Sequence, residues 1–235
     1  MKFLDLAPLA RINTFLDHVD VGEYVVYGNL EAYSCKLAGL DKKLSKSLDT
    51  EVQSGSSPLE MSRSPVGPLA ESSSRKTLIY LILTLNHIYP DYDFSLLRAH
   101  HFAKEEGLSK TEESVDSHLL EVSKLWSKTP GLGENPFLEC LWSSVDEAIT
   151  LKECDVYAYK ADMESDPFGD IACVWSFSYF FYNKKMKRIL YLSCRAKSKA
   201  SVEDEETEDV SRGYYDGDSD NGDDKYGMAG EMEDI

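Results

Sequence analysis

The sequence predicts an α+β fold, in which an antiparallel sheet of about four to five strands packs with about four helices. The strongest observation is that large apolar residues alternate with a period of two over 175–182 and again over 189–194. Two further segments, 23–36 and 153–160, show similar alternation, while four other segments carry apolar residues at helical spacing. Three C-terminal strands therefore form a meander, and the N-terminal segment adds strand material.

The C-terminal hairpin is expected to lie inside this sheet. Its first strand places four aromatic residues on one face, namely Trp175, Phe177, Tyr179 and Phe181. Phe180 and Tyr182 lie on the opposite face, so both faces need cover from other elements. Asn183 and the lysines that follow it favour a tight turn between the two strands.

The N-terminal part predicts a helix followed by extended chain. Pro8 suits a first helical turn, and residues 8–19 carry apolar side chains three or four positions apart. Residues 23–36 are rich in strand-forming residues. The pair Gly28 and Asn29 within them indicates either a turn between two strands or a bulge in one long strand, and we favour the bulge.

Three more helices follow along the chain. Their apolar spacing predicts them over 75–88, 112–128 and 137–150. One of the serines at 72–74 caps the first of them, which ends before Pro90. The segment between the first two of these helices fits neither a helix nor a strand pattern clearly.

The domain organisation is predicted to be one globular domain in two parts, 1–44 and 75–198. Between them, residues 45–74 contain ten serines and three prolines without sustained periodicity, which is typical of a disordered regulatory linker. Residues 199–235 are expected to form a disordered acidic tail.

The charge of the chain is concentrated in that tail. Residues 203–235 hold 14 acidic and two basic residues, so residues 1–202 carry only −5 of the total net charge of −17. This mild acidity, with no extended basic stripe, argues against direct sequence-specific binding of nucleic acid. The longest apolar-rich run, 77–85, is too short to span a bilayer, and the five cysteines occur singly. We therefore expect a soluble intracellular protein with reduced thiols and no membrane association.

Catalytic and metal-binding signatures are weak. The sequence contains no phosphate-binding glycine loop and no nucleophile or zinc motif of the common types. Asp91 and Asp93 are interpreted as turn and cap residues rather than Mg²⁺ ligands, and the pair His100 and His101 as exposed polar residues rather than a metal site. No catalytic residue, metal or cofactor is expected.

An acidic loop is the first candidate for partner binding. Asp162, Asp166 and Asp170 surround Phe168. The simple interpretation is a solvated loop. The alternative is a rigid acidic projection that docks on a basic protein surface with Phe168 as its apolar anchor.

A basic cluster is the second candidate. Lys184, Lys185, Lys187 and Arg188 fit a nuclear-import signal, but they also fit a charged turn that protects the end of a hairpin. The aromatic residues of the adjoining hairpin, 173–195, leave a third possibility, an RNA-binding platform. We favour core packing for these aromatic residues.

Three serines are candidate phosphorylation sites. Ser57 and Ser64 each precede a proline, and Ser45 follows two lysines at a spacing that suits a basophilic kinase. A phosphate adds almost two negative charges, so it would order the segment or change a contact with a partner.

Four motifs in a fixed order resemble one family. They are Tyr-Ser-Cys-Lys at 33–36, Pro-Asp-Tyr-Asp-Phe-Ser at 90–95, Ser-Asp-Pro-Phe-Gly at 165–169, and Trp-Ser-Phe-x-Tyr-Phe-Phe-Tyr-Asn-Lys at 175–184 followed by Lys187 and Arg188. Together they resemble the conserved segments of the Maf-one proteins, negative regulators of RNA polymerase III. The short linker and tail are most similar to those of plant members.

The resemblance implies a non-enzymatic repressor. Members of the family bind RNA polymerase III and block its recruitment by TFIIIB, through its Brf-type subunit. They are inactivated by phosphorylation in the linker, under the control of protein kinases and phosphatases, and they shuttle between cytoplasm and nucleus in response to stress and nutrients. We expect this chain to act in the same way, as a monomer.

Overall fold

Segments rich in β-branched and aromatic residues form an antiparallel sheet at the centre of the molecule. The computed structural model describes residues 1–161, 167 and 173–200, and in these ranges seven strands pair in the order β1-β3-β7-β6-β5-β4, with β2 also on β3. The strands are β1 Lys2–Leu4, β2 Val19–Asp20, β3 Tyr24–Ser34, β4 Phe102–Lys104, β5 Asp155–Tyr159, β6 Cys173–Asn183 and β7 Arg188–Ser198. Residues 1–199 form one compact unit.

Seven helices within the described ranges surround this sheet. They are α1 Ala7–Leu16, α2 Gly39–Gly55, α3 Pro58–Ser62, α4 Ser72–Ile88, α5 Leu108–His118, α6 Leu120–Trp126 and α7 Phe137–Ile149. Short 3-10 turns occupy Ala99–His101 and Leu151–Glu153. The predicted α+β class, with an antiparallel sheet packed by helices, is confirmed.

Two hydrophobic cores lie on opposite faces of the sheet. On one face, α1, α5, α6 and α7 bury Leu16, Trp126 and Leu141 against Phe181 of β6. On the other face, α2 and α4 pack against a second set of sheet residues that includes Phe180, Tyr182 and Tyr191. The C-terminal hairpin is therefore covered on both faces, as its sequence predicts.

The segment 45–74 differs from its prediction, because much of it is helical rather than disordered. Residues 39–55 form α2, in which Leu48 and Val52, four positions apart, are buried against α4. Asp49 accepts a hydrogen bond from Arg75 Nε at 2.7 Å, and Glu51 accepts one from Arg98 at 2.6 Å. These long-range contacts supply the stabilisation that the serine-rich local sequence lacks.

Gly28 lies in neither a turn nor a bulge. β3 is continuous through it, and Gly28 pairs directly with Cys194 of β7 without a shift in register. A Cβ atom at this position would lie 2.9 Å from Cys194 Sγ and 3.0 Å from Leu16 Cβ. Glycine is required here because α1 packs very close to the strand.

Smaller differences concern boundaries and short elements. The helix predicted over 112–128 is two helices, α5 and α6, divided at Leu119, although the apolar residues Val115, Val122 and Trp126 are all buried as the helical spacing requires. The strands β1, β2 and β4 have only two or three residues each, too few for alternation to be recognised in the sequence.

Candidate functional site

The basic cluster sits on the turn between β6 and β7, and Asn183 builds that turn. The buried Asn183 side chain donates from Nδ2 to the Ile149 carbonyl at 2.9 Å, and its Oδ1 accepts from the Met186 backbone N–H at 3.0 Å. Lys187 adopts a positive φ of 50° in the turn, and its carbonyl accepts from the Cys35 backbone N–H at 2.9 Å. The sequence thus predicted the turn correctly, and the structure explains its Asn residue.

Two lysines of this turn are paired with acidic residues of the neighbouring segment. Lys184 lies 2.8 Å from Asp155, and Lys185 lies 3.0 Å from Glu153. Asp155 also binds Lys104 of β4 at 2.8 Å. Burial alone would raise the pKa of Asp155, but hydrogen bonds from Lys104 and Lys184 outweigh it and hold that pKa below its ordinary value. The sequence gives no sign of these pairs, since they depend on strand adjacency.

Lys187 and Arg188, the other two members of the basic cluster, differ in their exposure to solvent. The Lys187 side chain is exposed, whereas Arg188 is half-buried and its guanidinium donates to the Ala148 carbonyl at the end of α7. Surface ion pairs such as those of Lys184 and Lys185 contribute only about 0–1 kcal/mol and are easily broken. The three lysines are therefore accessible to a receptor, while Arg188 has a structural role as well.

The acidic loop lies between β5 and β6. Asp162, Asp166, Phe168 and Asp170 fall outside the residues that the structure describes, so their role stays a prediction. Pro167 is described, and its carbonyl accepts from Arg195 Nη1 at 3.3 Å.

Ser57 and Ser64 have structural roles in the segment between α2 and α4. Ser57 caps α3: its Oγ accepts from the Glu60 backbone N–H at 3.3 Å, while the Glu60 carboxylate accepts from the Ser57 N–H at 3.0 Å. The half-buried Ser64 hydroxyl donates to the Gly67 carbonyl across a turn. A phosphate on Ser57 would face the Glu60 carboxylate, and one on Ser64 would remove this donor, so either modification disturbs the local fold.

Ser45 is placed differently. It lies half-buried on α2, one turn before the buried Leu48, while Lys42 and Lys43 are exposed on the preceding turn. A phosphate there would act on the α2 surface, where the lysines provide the nearest positive charge along the chain.

Asp93 and the two histidines considered for metal binding have other partners. Asp93 Oδ1 accepts from the Ser95 N–H at 2.9 Å, as expected of a turn residue. His101 Nδ1 accepts from the Arg98 N–H at 2.9 Å, and the His100 and His101 rings lie 4.1 Å apart. Over 1–161 and 173–200, no three His, Cys, Asp or Glu side chains converge in a way that would hold a metal ion.

The aromatic hairpin does not present a flat platform for bases. Phe180, Phe181 and Tyr191 are fully buried, and Phe177 is nearly so. Tyr191 is held further by hydroxyl contacts, accepting from Ser178 Oγ at 2.7 Å and lying 3.2 Å from the Tyr89 hydroxyl. Core packing, the interpretation favoured from the sequence, accounts for these residues.

The five cysteines are all free, and burial raises the pKa of Cys35 and Cys154 to about 12. Within the described ranges, every helix is too short or too polar to cross a bilayer.

The chain is similar to known proteins along most of its length. Residues 26–193 match the family described as Maf1 regulator. A Dictyostelium discoideum protein named repressor of RNA polymerase III transcription is 34% identical over an alignment that covers 93% of this chain and 98% of that protein. A Schizosaccharomyces pombe protein, named repressor of RNA polymerase III transcription maf1, is 40% identical over 85% of this chain and 84% of its own length.

Solved structures show the same relationship. Two crystal forms of citrus MAF1 match with TM-scores of 0.67 and 0.68, at 42% and 41% identity. Each match covers 82% of this chain and the whole of the citrus chain. The resemblance drawn from four motifs, including its similarity to a plant member, is thereby confirmed: this chain belongs to the Maf1 family of regulators.

Proposed function

We propose that this protein represses transcription by RNA polymerase III, and that it acts as a binding protein rather than as an enzyme. The observation that carries this proposal is the extent of the similarity: relatives named as repressors of that polymerase align along 98% and 84% of their own lengths. The family match over 26–193 contains helices α2 to α7 and most of the sheet, so the repressor relatives share a domain and not merely a motif.

The proposed mechanism is occlusion. The protein binds the polymerase and prevents its recruitment by TFIIIB and its Brf-type subunit. The acidic residues Asp162, Asp166 and Asp170, with Phe168, supply a docking surface for a basic patch on the polymerase. The acidic sequence after residue 201 competes for basic surface that otherwise contacts nucleic acid.

Charge reversal at the loop tests this docking surface. Asp162→Lys together with Asp166→Lys is expected to weaken binding to purified RNA polymerase III at least tenfold and to relieve repression of a transfer-RNA gene in vitro, because complementary charges become repulsive. Glu134→Lys with Glu147→Lys is the matched control, since both glutamates are exposed elsewhere on the domain. Unchanged affinity in the well-folded loop variant would reject the loop as the docking site.

A second candidate function, RNA binding through the hairpin 173–195, is weaker. Most of its large aromatic residues are buried, and Trp175 and Tyr179 are half-buried against one core, so stacking on bases would require opening that packing. The same experiment includes free RNA at two salt concentrations. If the protein bound RNA in a salt-sensitive manner and did not bind the polymerase, RNA binding would replace repression as the favoured function.

Regulation is proposed to act through the segment 45–74 and the basic turn. Phosphorylation at Ser45, Ser57 and Ser64 by protein kinases keeps the protein in the cytoplasm, and phosphatases release it for import through Lys184, Lys185, Lys187 and Arg188.

Alanine at all three serines is expected to cause nuclear retention and persistent repression in growing cells, measured by imaging and by transfer-RNA precursor levels. When Lys184→Ala, Lys185→Ala and Lys187→Ala are added to that variant, the protein should return to the cytoplasm. Arg188 is left unchanged, because it bonds to the end of α7. A triple-serine variant that distributes and represses like the unmodified protein would contradict the phosphorylation step.

A further inference from the structure

One edge of the sheet has backbone groups available for pairing. β4 is the terminal strand beside β5, with Phe102 opposite Tyr159 and Lys104 opposite Tyr157. The Glu105 N–H donates to the Val156 carbonyl at 3.0 Å, and the Lys160 N–H donates to the His101 carbonyl at 2.7 Å. Since hydrogen-bonded positions alternate along an antiparallel pair, the carbonyls of Phe102 and Lys104 and the Lys104 N–H point away from β5.

A groove of about 740 Å³ runs along this open edge. Its floor is β4, and its opposite wall is α3 with the following turn, including Leu59, Arg63 and Pro65. Leu59 is 71% exposed and belongs to neither hydrophobic core. An added strand would lie about 4.8 Å from β4, and all three β4 residues, Phe102, Ala103 and Lys104, line the groove.

The groove is predominantly basic. Arg63, His100, Lys104 and Lys160 line it, and Glu60 is the only acidic residue among the described residues of its lining. Glu60 is engaged by Ser57 and lies 3.7 Å from His100. Lys104 is bound to Asp155 but remains 49% exposed at its side chain. Across the described residues, neither Arg63 nor Lys160 has a carboxylate within ion-pair distance.

We infer that this groove binds an extended acidic peptide of a partner protein, which adds to β4 as a further strand. The free backbone groups of β4 provide affinity, Leu59 provides an apolar contact, and the four basic residues select acidic side chains. Short edge strands that carry a lysine also protect the open edge of a sheet from aggregation. Protection alone does not account for a second wall with an exposed leucine, or for two further cations that lack an ion-pair partner among the described residues.

The inference is independent of the proposed repressor function, and its test needs only the full-length purified protein. The probe is a fluorescein-labelled eight-residue peptide in which glutamate alternates with valine, and binding is followed by fluorescence anisotropy. We expect saturable binding that weakens as salt is raised, and no binding of the same peptide with lysine in place of glutamate. A peptide with every amide nitrogen methylated keeps its charge but cannot donate to β4, so its affinity should fall at least tenfold.

Two substitutions at one position isolate the backbone contribution. Lys104→Thr removes the charge but keeps the outward N–H, whereas Lys104→Pro removes both and leaves the β4–β5 hydrogen bonds intact. The proline variant should bind about tenfold more weakly than the threonine variant, with both checked for fold by circular dichroism and unfolding temperature.

Three results would overturn the inference. The first is that the methylated and unmethylated peptides bind the unmodified protein with equal affinity. The second is that the two Lys104 variants bind the acidic peptide with equal affinity. The third is that an oligouridylate of matched charge displaces the labelled peptide as well as the unlabelled peptide does. The last of these would identify the groove as a general anion-binding surface that nucleic acid also occupies. The methylated peptide is tested on the unmodified protein, so the inference can still be rejected if the proline variant fails to fold.

Discussion

Leu48→Ala is expected to lower the free energy of unfolding by about 2–5 kcal/mol. Leu48 is only 1% exposed and belongs to the core between α2, α4 and the sheet. Truncation removes buried methyl groups and leaves a cavity that the surrounding helices fill only in part. Thermal unfolding followed by circular dichroism should show a shift of about 2–4 °C for each kcal/mol in a domain of this size.

The matched control is Lys46→Ala, two positions earlier on the same helix and exposed. It should change stability by no more than about 0.5 kcal/mol. If Leu48→Ala unfolds at the same temperature as the unmodified protein, α2 does not pack as the structure shows, and the segment behaves as the flexible linker that its composition predicts.

That composition explains why the sequence could not predict α2. Serine is neutral to unfavourable inside helices, and only Leu48 and Val52 are buried in the helix. The contacts that hold it come from far along the chain, from Arg75 to Asp49 and from Arg98 to Glu51. Local periodicity contains no information about partners 26 and 47 positions away.

The long strands were predictable because both cores impose a pattern on them. β6 and β7 span 11 residues each, enough for alternation between two buried faces to stand out. β4 has three residues and follows a 3-10 turn, so its pattern is lost among its neighbours. The open edge that β4 presents was consequently invisible from the sequence.

The candidate site was predicted only in outline. A basic turn after Asn183 follows from local sequence, since asparagine and charged residues favour turns. Its pairing with Glu153 and Asp155 depends on β5 lying beside β6, which only the folded sheet establishes. The acidic residues Asp162, Asp166 and Asp170 remain a sequence prediction.

Gly28→Ala is expected to destabilise the protein by about 1–3 kcal/mol, because the added methyl group overpacks the contact between α1, β3 and β7. The Cβ position lies within 3.0 Å of Leu16 Cβ, and that atom is fixed close to the helix backbone. Gly55→Ala is the control: Gly55 is the last residue of α2 and only Arg98 Nη2, at 4.0 Å, approaches its Cβ position, so the change should not destabilise the protein by more than about 0.5 kcal/mol. Urea unfolding of both variants measures the difference.

A second variant separates the two sources of crowding at position 28, Cys194 of β7 and Leu16 of α1. The Sγ of Cys194, directly opposite in the sheet, lies 2.9 Å from the Gly28 Cβ position. Cys194→Ala removes that atom, so Gly28→Ala combined with Cys194→Ala should cost less than the sum of the two single changes. Strict additivity would mean that Cys194 does not crowd position 28, and that the close approach of Leu16 of α1 is what requires glycine there.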